Sequence, residues 1–275
     1  MKTWFITGTS TGMGRMLTEK LLAQGHRVAA TIRKPGALDE LKQKYRERLL
    51  VFTLDVTDPV AVKEVVNLAF SELGRIDVIV NNAGYALFGA AEESTDEQIS
   101  HQFETNLFGS IRVIRSALPH LRAQGGGNIL QLSSSAGQTV YPAYSYYNSS
   151  KWAIEGFCDT LAFEVAAFNI HITIIELGAH KTSFGAGIVD SPIHNAYDQT
   201  IVGEMRRMIA AGNFKIRGDV DLSSQAMIDI VNLESPPRRL ALGADAYQHM
   251  REALKTRLEA LEAQEDIAMA SEIPD

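Results

Sequence analysis

The chain is poor in cysteine and has no long apolar segment. Its single cysteine, Cys158, excludes an internal disulfide, and the residues around it lack the spacing of a metal site. No apolar run approaches the roughly 20 residues that span a bilayer. Strand-like sequence begins at Thr3, with no signal-peptide succession of basic, apolar and small residues before it. We therefore expect a cytoplasmic protein with no bound metal and no membrane partner.

Basic residues are outnumbered by acidic ones. The formal net charge is −7, from 26 Lys and Arg against 33 Asp and Glu. This balance argues against a nucleic acid or an anionic membrane as partner. Hydrophobic residues make up 45% of the chain, which is enough for a full core. At 275 residues, the chain could form one large α/β domain or two small domains.

The N-terminal segment combines a strand, a glycine loop and a helix. Residues 3–7 are predicted to form a buried strand, the glycines of residues 8–14 follow directly, and helical spacing runs over 16–24. A helix N-terminus favours an anionic group, and glycines let the backbone approach a pyrophosphate. A glycine triplet alone is weak evidence, but its place between strand and helix predicts a dinucleotide site.

The alternation of strand and helix continues along the chain. It predicts a parallel sheet with helices on both faces, although the strand order cannot be read from the apolar runs. Further strands are predicted at 27–32, 49–54, 76–80, 128–132, 170–176 and 239–243, and further helices at 36–45, 59–73, 96–121, 144–168, 222–233 and 247–263.

Six strands are followed at their C-terminal ends by residue types suited to ligand binding. In open α/β sheets, ligands bind at this edge. The alternative is that these are ordinary turn residues, since turns favour Gly, Asn, Asp and Ser. The six positions are Gly8, Arg33, Asp55, Asn82, Ser134 and Gly178.

Tyr147 and Lys151 are four residues apart in a predicted helix, so they lie on the same face. A neighbouring ammonium favours the phenolate and lowers the pKa of a phenol, which makes it usable as a general acid or base. Such pairs also occur by chance on exposed helices. Here Ser134 lies thirteen residues before Tyr147, at the end of a predicted strand.

These motifs resemble those of the short-chain dehydrogenase/reductase family. The matching segments are Thr7-Gly8-Thr9-Ser10-Thr11-Gly12-Met13-Gly14, Asn81-Asn82-Ala83-Gly84, and Tyr147 with Lys151. The resemblance extends from Thr7 to about Gly243. It implies an α/β fold with a seven-stranded, doubly wound parallel sheet (a Rossmann fold) in one domain over residues 1–265. It also implies an oxidoreductase that interconverts a ketone or aldehyde and an alcohol.

The resemblance assigns four catalytic residues: Asn106, Ser134, Tyr147 and Lys151. Asn106 would hold a water that relays protons to Lys151, or alternatively would be a solvent-facing or capping amide. Ser133 and Ser135 compete with Ser134, which has the family's spacing to the tyrosine. A cofactor-binding regulator and a sugar-nucleotide epimerase or dehydratase remain alternatives, although the former would be expected to lose one of these residues.

The resemblance also implies a nicotinamide cofactor. An acidic residue at the end of the second strand is typical of NAD binding, but this chain has Arg33 and Lys34 there, which favours NADP(H). Asp55 would lie near the adenine, or would instead cap the following helix. The predicted cofactor contacts are Gly8, Ser10, Thr11, Gly12, Met13, Gly14, Arg33, Lys34, Asp55, Val56, Asn82, Ala83, Gly84, Tyr147, Lys151, Leu177, Gly178 and Thr182. Leu177 stands where the family usually has proline.

The family builds its substrate pocket and lid from segments that are apolar here. Residues 183–220 are predicted to be an irregular lid, which includes Phe214. An amphipathic helix over 244–265 follows, and residues 266–275 are predicted to be a disordered tail. The expected assembly is a homodimer or homotetramer, and the expected substrate is an apolar carbonyl compound or alcohol. The predicted pocket residues are Tyr85, Leu87, Val140, Tyr141, Tyr144 and Phe184.

Overall fold

A computed structural model of the chain describes residues 1–212 and 215–272. The strands are β1 (Thr3–Ile6), β2 (Arg27–Ile32), β3 (Leu49–Thr53), β4 (Val78–Asn81), β5 (Leu87–Phe88), β6 (Gly127–Leu132), β7 (Ile170–Leu177), β8 (Val189–Asp190) and β9 (Arg239–Leu242). The α-helices are α1 (Gly12–Ala23), α2 (Asp39–Tyr45), α3 (Pro59–Leu73), α4 (Asp96–Phe103), α5 (Ser110–Ala123), α6 (Ser145–Val165), α7 (Ile201–Ala210), α8 (Val220–Ile230), α9 (Ala244–Glu262) and α10 (Glu265–Met269).

Within the described residues, seven parallel strands form one sheet in the order β3-β2-β1-β4-β6-β7-β9. The doubly wound parallel sheet expected from the family resemblance is therefore confirmed. The order runs outward from β1 in both directions, so a crevice opens at the carboxyl ends of β1 and β4. That crevice is where ligands bind in sheets of this kind.

The strands are apolar because both faces of the sheet are covered by helices. On β1, Trp4, Phe5 and Ile6 are all fully buried. Phe5 packs in the core half beneath α3, α5 and α6, whereas Trp4 and Ile6 pack in the half beneath α1 and α8. Each such side chain contributes about 1.5–3 kcal/mol on burial. Alternate residues of one strand thus fix both helix layers.

The long helix predicted over 96–121 is interrupted. α4 ends at Phe103, a π-helical turn follows over Glu104–Gly109, and α5 begins at Ser110. Asn106 lies inside the π-helical turn. A π-helical turn keeps an almost helical periodicity, so the sequence pattern continues through it, and such turns are frequent at functional sites.

The prediction of an irregular lid over 183–220 is wrong in part. α7 lies within this segment, and the hydroxyl of Thr200 accepts a hydrogen bond from the Val202 N–H at 3.2 Å, which caps the helix. Val202 and Met205, three residues apart, belong to one apolar cluster with Phe88. The scattered aromatic residues concealed this short apolar stripe. Phe214 lies outside the described residues.

The C-terminal segment extends beyond the sheet. Met250 of α9 is buried, but Leu254, Leu258 and Leu261 along the same helix are exposed. Part of the predicted tail forms α10, and residues 273–275 lie outside the described residues. In the part of the chain that the structure describes, no helix has both the length and the apolar character needed to cross a membrane.

Candidate active site

The carboxyl ends of the strands bring the predicted site residues to one edge of the sheet. Gly8 follows β1, Asn82 follows β4, Ser134 follows β6 and Gly178 follows β7. Because these strands are parallel and adjacent, their following residues meet in the same crevice. The edge position predicted from the sequence is therefore present in the fold.

Asn82 ties the glycine loop to the neighbouring strand. Its side-chain amide donates hydrogen bonds to the carbonyls of Thr7 and Gly8, each at 2.8 Å, and its backbone N–H donates to Thr7 Oγ1 at 3.0 Å. Gly8 has φ +69°, and a Cβ added there would lie 2.9 Å from Ala83 Cα. A Cβ at Gly14 would overlap the Asn82 amide. The loop therefore requires glycine at both positions and leaves a backbone cradle at the start of α1.

The residues around this cradle fit a dinucleotide. Gly12, at the first turn of α1, faces Thr182, whose Cβ would lie 3.6 Å from a Cβ added to the glycine. The loop after β7 therefore closes over the helix N-terminus, which favours a pyrophosphate. At the second strand, Arg33 and Lys34 are exposed on the same edge.

Asp55 does not cap the helix that follows it. Asp58 performs that function, because its Oδ1 accepts hydrogen bonds from Val60 N and Ala61 N. Asp55 Oδ1 instead accepts from the N–H and the hydroxyl of Thr57, at 2.9 and 2.8 Å. Burial alone would raise the pKa of Asp55, but these hydrogen bonds and the positive charge of Arg33 hold that pKa below its usual value. Arg33 and Asp55 therefore lie at the same end of the crevice.

Tyr147 lies between two aromatic rings, with ring centroids 6.1 Å from Tyr144 and 6.0 Å from Phe184. Burial raises the pKa of Tyr147 to about 12, while a hydrogen bond with Ser134 acts in the opposite direction. The prediction that Lys151 lowers the pKa of Tyr147 is thus wrong for the protein without bound cofactor. The Lys151 Nζ lies 5.7 Å from the centroid of the Tyr147 ring, and its effect does not outweigh the burial of the phenol.

Lys151 is held against the end of a strand. It is 7% exposed, and its Nζ donates a hydrogen bond to the carbonyl of Leu132 at 3.0 Å. Burial lowers the pKa of Lys151 to about 8, whereas the charge of Glu155 raises it. The ammonium therefore loses its proton at a lower pH than an ordinary lysine does.

The three neighbouring serines have different partners. Ser133 donates its hydroxyl proton to Glu155 Oε1, and the Ser135 hydroxyl is paired with the Tyr141 hydroxyl at 2.8 Å. Ser134 Oγ accepts from Ala136 N at 3.1 Å, and the Ser134 hydroxyl forms a hydrogen bond with the Tyr147 phenol. The hydrogen bonds thus favour Ser134 among the three.

Asn106 is buried, so it is not a solvent-facing amide. Its Oδ1 accepts from Tyr85 N at 3.1 Å, and its Nδ2 donates to Tyr85 O at 2.9 Å and to Ser150 Oγ at 3.2 Å. The side chain ties the segment after β4 to α6, next to Lys151. These hydrogen bonds hold the two elements together.

The predicted pocket residues are not all brought together. Tyr144 and Phe184 flank Tyr147, whereas Leu87 is buried in β5 and Val140 is 70% exposed. Tyr141 is close by, but its hydroxyl bonds Ser135 and, at 3.1 Å, His249 Nδ1 of α9. Tyr85 lies beside the ring of His101, with centroids 5.6 Å apart.

Several residues at this edge were not identified from the sequence. Asp245, in the first turn of α9, accepts a hydrogen bond from Ala179 N at 2.7 Å, and a Cβ added at Gly178 would overlap its carboxylate. Glu155 contacts Ser133 and Arg239. The signal for Glu155 was its spacing of four residues from Lys151, but nothing local indicated the long-range contacts.

Comparison with known proteins agrees with this fold. The family model described as short chain dehydrogenase matches residues 2–192. The chain is 36% identical to oxidoreductase BOA17 of Botryotinia fuckeliana over 98% of this chain and 99% of that protein. A crystal structure of a short-chain dehydrogenase from Streptomyces avermitilis is similar with a TM-score of 0.92 at 35% identity, covering 99% of this chain and 100% of the other.

Two more distant structures share the fold and carry different cofactors. ElxO, solved with NADP bound, has a TM-score of 0.74 at 24% identity and covers 90% of this chain and 99% of its own. A short chain dehydrogenase/reductase from Burkholderia phymatum, in complex with NAD, has a TM-score of 0.80 at 19% identity and covers 96% of this chain and 95% of its own. The sequence motifs, the doubly wound sheet and these comparisons lead to one conclusion: the chain belongs to the short-chain dehydrogenase family.

Proposed function

We propose that the protein catalyses the NADP(H)-dependent interconversion of an apolar ketone or aldehyde and the corresponding alcohol. The observation that carries this proposal is the arrangement of Ser134, Tyr147 and Lys151. The hydroxyl of Ser134 and the phenol of Tyr147 are neighbours, and the Lys151 ammonium lies 5.7 Å from the centroid of the phenol ring. Ser134 follows β6 at the same edge of the sheet as the glycine cradle that follows β1.

The cofactor would be held by the cradle of Gly8 and Gly14, by the Asn82 segment, and by Gly178 and Thr182 across the crevice. The placement is supported by the glycine loop at the N-terminus of α1, where backbone N–H groups without neighbouring side chains can bind a pyrophosphate. When bound, a nicotinamide dinucleotide supplies or accepts the hydride. The remaining chemistry belongs to the protein side chains.

In the reductive direction, Tyr147 donates its phenolic proton to the substrate carbonyl oxygen, and Ser134 donates a hydrogen bond to the same oxygen. A pKa of about 12 keeps the phenol protonated near neutral pH, so the proton to be donated is present. The phenolate left behind is stabilised by the Lys151 ammonium, 5.7 Å from the ring centroid. In the oxidative direction the phenolate accepts the alcohol proton.

The side chains around Tyr147 support an apolar substrate. Tyr144 and Phe184 flank the phenol. Beneath α7 lies an apolar cluster that continues from Tyr144: Phe88, Ala90, Ala143, Ile188, Tyr197, Val202 and Met205. Arg206 of α7 and the buried Glu93 form a salt bridge with each other. Apolar walls with a few polar groups are the usual composition of a small-molecule site.

The preference for NADP(H) rests on Arg33. The guanidinium is exposed at the end of β2 and lies close enough to Asp55 to lower its pKa. A 2′-phosphate pairs with a guanidinium through charge-assisted hydrogen bonds, whereas an acidic residue at this position would repel it. The NADP-bound and NAD-bound relatives show that the fold accepts either cofactor, so this side chain would decide the preference.

We also propose a homodimer or homotetramer formed through α5 and α6. Two exposed aromatic residues of α6 each have an arginine over the ring. Arg238 Cζ lies 3.8 Å from the centroid of the Phe163 ring, and Arg257 Cζ lies 4.8 Å from that of the Trp152 ring. Aromatic residues and arginine are enriched at protein interfaces. Light scattering at micromolar concentration tests the assembly, and a monomer there would contradict it.

The enzymatic proposal is tested with a panel of ketones, aldehydes and alcohols, followed at the nicotinamide absorbance band. Apolar carbonyl compounds should be reduced with NADPH. Sugar nucleotides form the second arm of the panel, because an epimerase or dehydratase would act on them. Activity confined to sugar nucleotides or to small charged acids would overturn the proposal.

A further inference from the structure

A buried acidic side chain lies one helical turn beyond Lys151. Tyr147, Lys151 and Glu155 are spaced four residues apart along α6, so they share one face. Glu155 is 1% exposed. An ionised carboxylate is costly to bury without partners, so its contacts decide what it does.

The contacts of Glu155 reach the turn that carries Ser134. Its Oε1 accepts a hydrogen bond from the Ser133 hydroxyl, and its Oε2 accepts from Gln138 Nε2 and Arg239 Nη1. The turn is pressed against this carboxylate so closely that a Cβ at Gly137 would overlap Oε1. Glu155 therefore holds both sides of the turn over Ser135–Gly137.

Glu155 and Lys151 hold consecutive residues of the same strand end. Lys151 Nζ bonds the carbonyl of Leu132 at 3.0 Å, and Glu155 bonds the hydroxyl of the next residue, Ser133. The residue after these two is Ser134. Two successive turns of α6 thus fix the strand end immediately before the proposed substrate-binding hydroxyl.

The charges around Glu155 come from three elements. Arg239 of β9 forms salt bridges with Glu155 and Asp159 of α6 and, at 2.6 Å, with Glu176 of β7. Burial, and then the charge of Glu155, raise the pKa of Glu176. Glu155 thus lies between the Arg239 guanidinium and the next helical turn, where its charge raises the pKa of Lys151.

We propose that Glu155 is a positioning residue for the reaction, which fixes the Ser134 turn through Ser133 and Gln138 and places its carboxylate one helical turn from Lys151. This inference rests on the proposed function. Its two parts have different consequences. Loss of the tie to Ser133 lowers kcat at every pH, whereas loss of the charge changes the pH at which Lys151 stops supporting the reaction.

The test compares Glu155→Gln with Ser133→Ala and with Asp159→Asn as the matched control. Asp159 binds the same Arg239 guanidinium, and its replacement by Asn removes the same charge. Unlike Glu155, Asp159 is partly exposed, and its salt bridge is to the guanidinium. kcat and KM for reduction of the best ketone of the panel are measured across pH. Thermal unfolding of each protein without cofactor establishes whether it folds.

For Glu155→Gln we expect kcat to fall about tenfold or more. The alkaline limb of the pH–rate profile, where activity is lost as Lys151 loses its proton, should move to lower pH. The direction follows because the charge of Glu155 raises the pKa of Lys151. Ser133→Ala should lower kcat several-fold with the limb unmoved. Asp159→Asn should retain kcat within about twofold, with an unmoved limb.

The inference is overturned if Glu155→Gln keeps the wild-type kcat and limb, or if Asp159→Asn moves the limb equally. Should Glu155→Gln fail to fold, Ser133→Ala decides, because an unchanged kcat in that variant removes the positioning role. A wild-type protein that reduces no carbonyl compound overturns the proposed function instead. An active wild type with an unaffected Glu155→Gln variant overturns only the inference.

Discussion

Lys151 donates a hydrogen bond from Nζ to the carbonyl of Leu132 at 3.0 Å, which fixes a buried ammonium to the last residue of β6. The same ammonium lies 5.7 Å from the centroid of the Tyr147 ring. One contact therefore sets the helix that carries the phenol against the strand that leads to Ser134. The predictions below examine the proposed roles of these groups and of the cradle beside them.

Replacing Tyr147 with phenylalanine removes the proposed proton donor and keeps the ring between Tyr144 and Phe184. We expect kcat to fall by about two to four powers of ten, as for a lost general acid or base, with cofactor binding retained. The control is Tyr146→Phe, because the Tyr146 hydroxyl bonds the Ala91 carbonyl at 2.8 Å, away from Ser134. Retention of more than about a tenth of the wild-type rate in Tyr147→Phe would exclude it as the donor.

The position of the site at the carboxyl ends of the strands was predictable because each strand is an apolar run that ends at a residue of distinct chemistry. A parallel sheet brings such ends together whatever the strand order. The interruption of the helix at Asn106 was not predictable, since a π-helical turn leaves the apolar periodicity nearly unchanged. The contact between Glu155 and Arg239 joins positions 84 residues apart. Local spacing carries no information about a pairing at that separation.

The pKa of Tyr147 also required the structure. The spacing of Tyr147 and Lys151 correctly placed the ammonium near the phenol ring. How far each group is buried depends on side chains from other segments, such as Phe184. Burial raises the pKa of a phenol and lowers that of an ammonium, so the fold decides the sign of both shifts.

Lys151 should make stability depend on pH. Burial lowers its pKa to about 8 in the folded protein, against an ordinary value of 10.5. Between about pH 8 and 10.5 the unfolded chain therefore binds more protons at this group, and its contribution to the free energy of unfolding rises with pH. The full difference corresponds to about 3 kcal/mol.

This dependence is measured by urea unfolding of the wild type and of Lys151→Met at several pH values. Relative to the variant, the wild type should gain stability as the pH rises from about 7 towards 10.5, because the cost of burying the ammonium disappears. The comparison cancels the other titrating groups that both proteins share. Parallel curves would contradict the lowered pKa of Lys151.

Glycine at position 14 should be required for cofactor binding and for the local fold. A Cβ there would overlap the Asn82 amide, which holds the carbonyl of Gly8 at 2.8 Å. We expect Gly14→Ala to weaken cofactor binding at least about tenfold, because the cradle must open. Gly156→Ala is the control: its Cβ meets no atom within 4 Å, so this helix position should gain about 0.5–1 kcal/mol. Fluorescence titration with NADPH distinguishes them, and equal affinities would contradict the assignment.

Arg33 should determine the choice between the two nicotinamide cofactors. It is exposed at the end of β2, at the same end of the crevice as Asp55, and the fold accepts either cofactor in relatives. An Arg33→Asp substitution replaces a group that pairs with the 2′-phosphate by one that repels it and accepts a hydrogen bond from a ribose 2′-hydroxyl. We expect the wild type to favour NADPH over NADH in kcat/KM, and the variant to flatten or reverse this ratio.

The control for Arg33→Asp is Lys34→Asp, which makes the same change of charge one residue further from the strand end. Long-range attraction of the cofactor phosphates would be lost equally in both variants, whereas a direct pairing with the 2′-phosphate would be lost only in the first. Measuring kcat/KM with both cofactors at low and high salt separates these contributions, because salt screens the long-range part. The assignment of Arg33 fails if the wild type prefers NADH, or if the two variants change the cofactor ratio by the same factor.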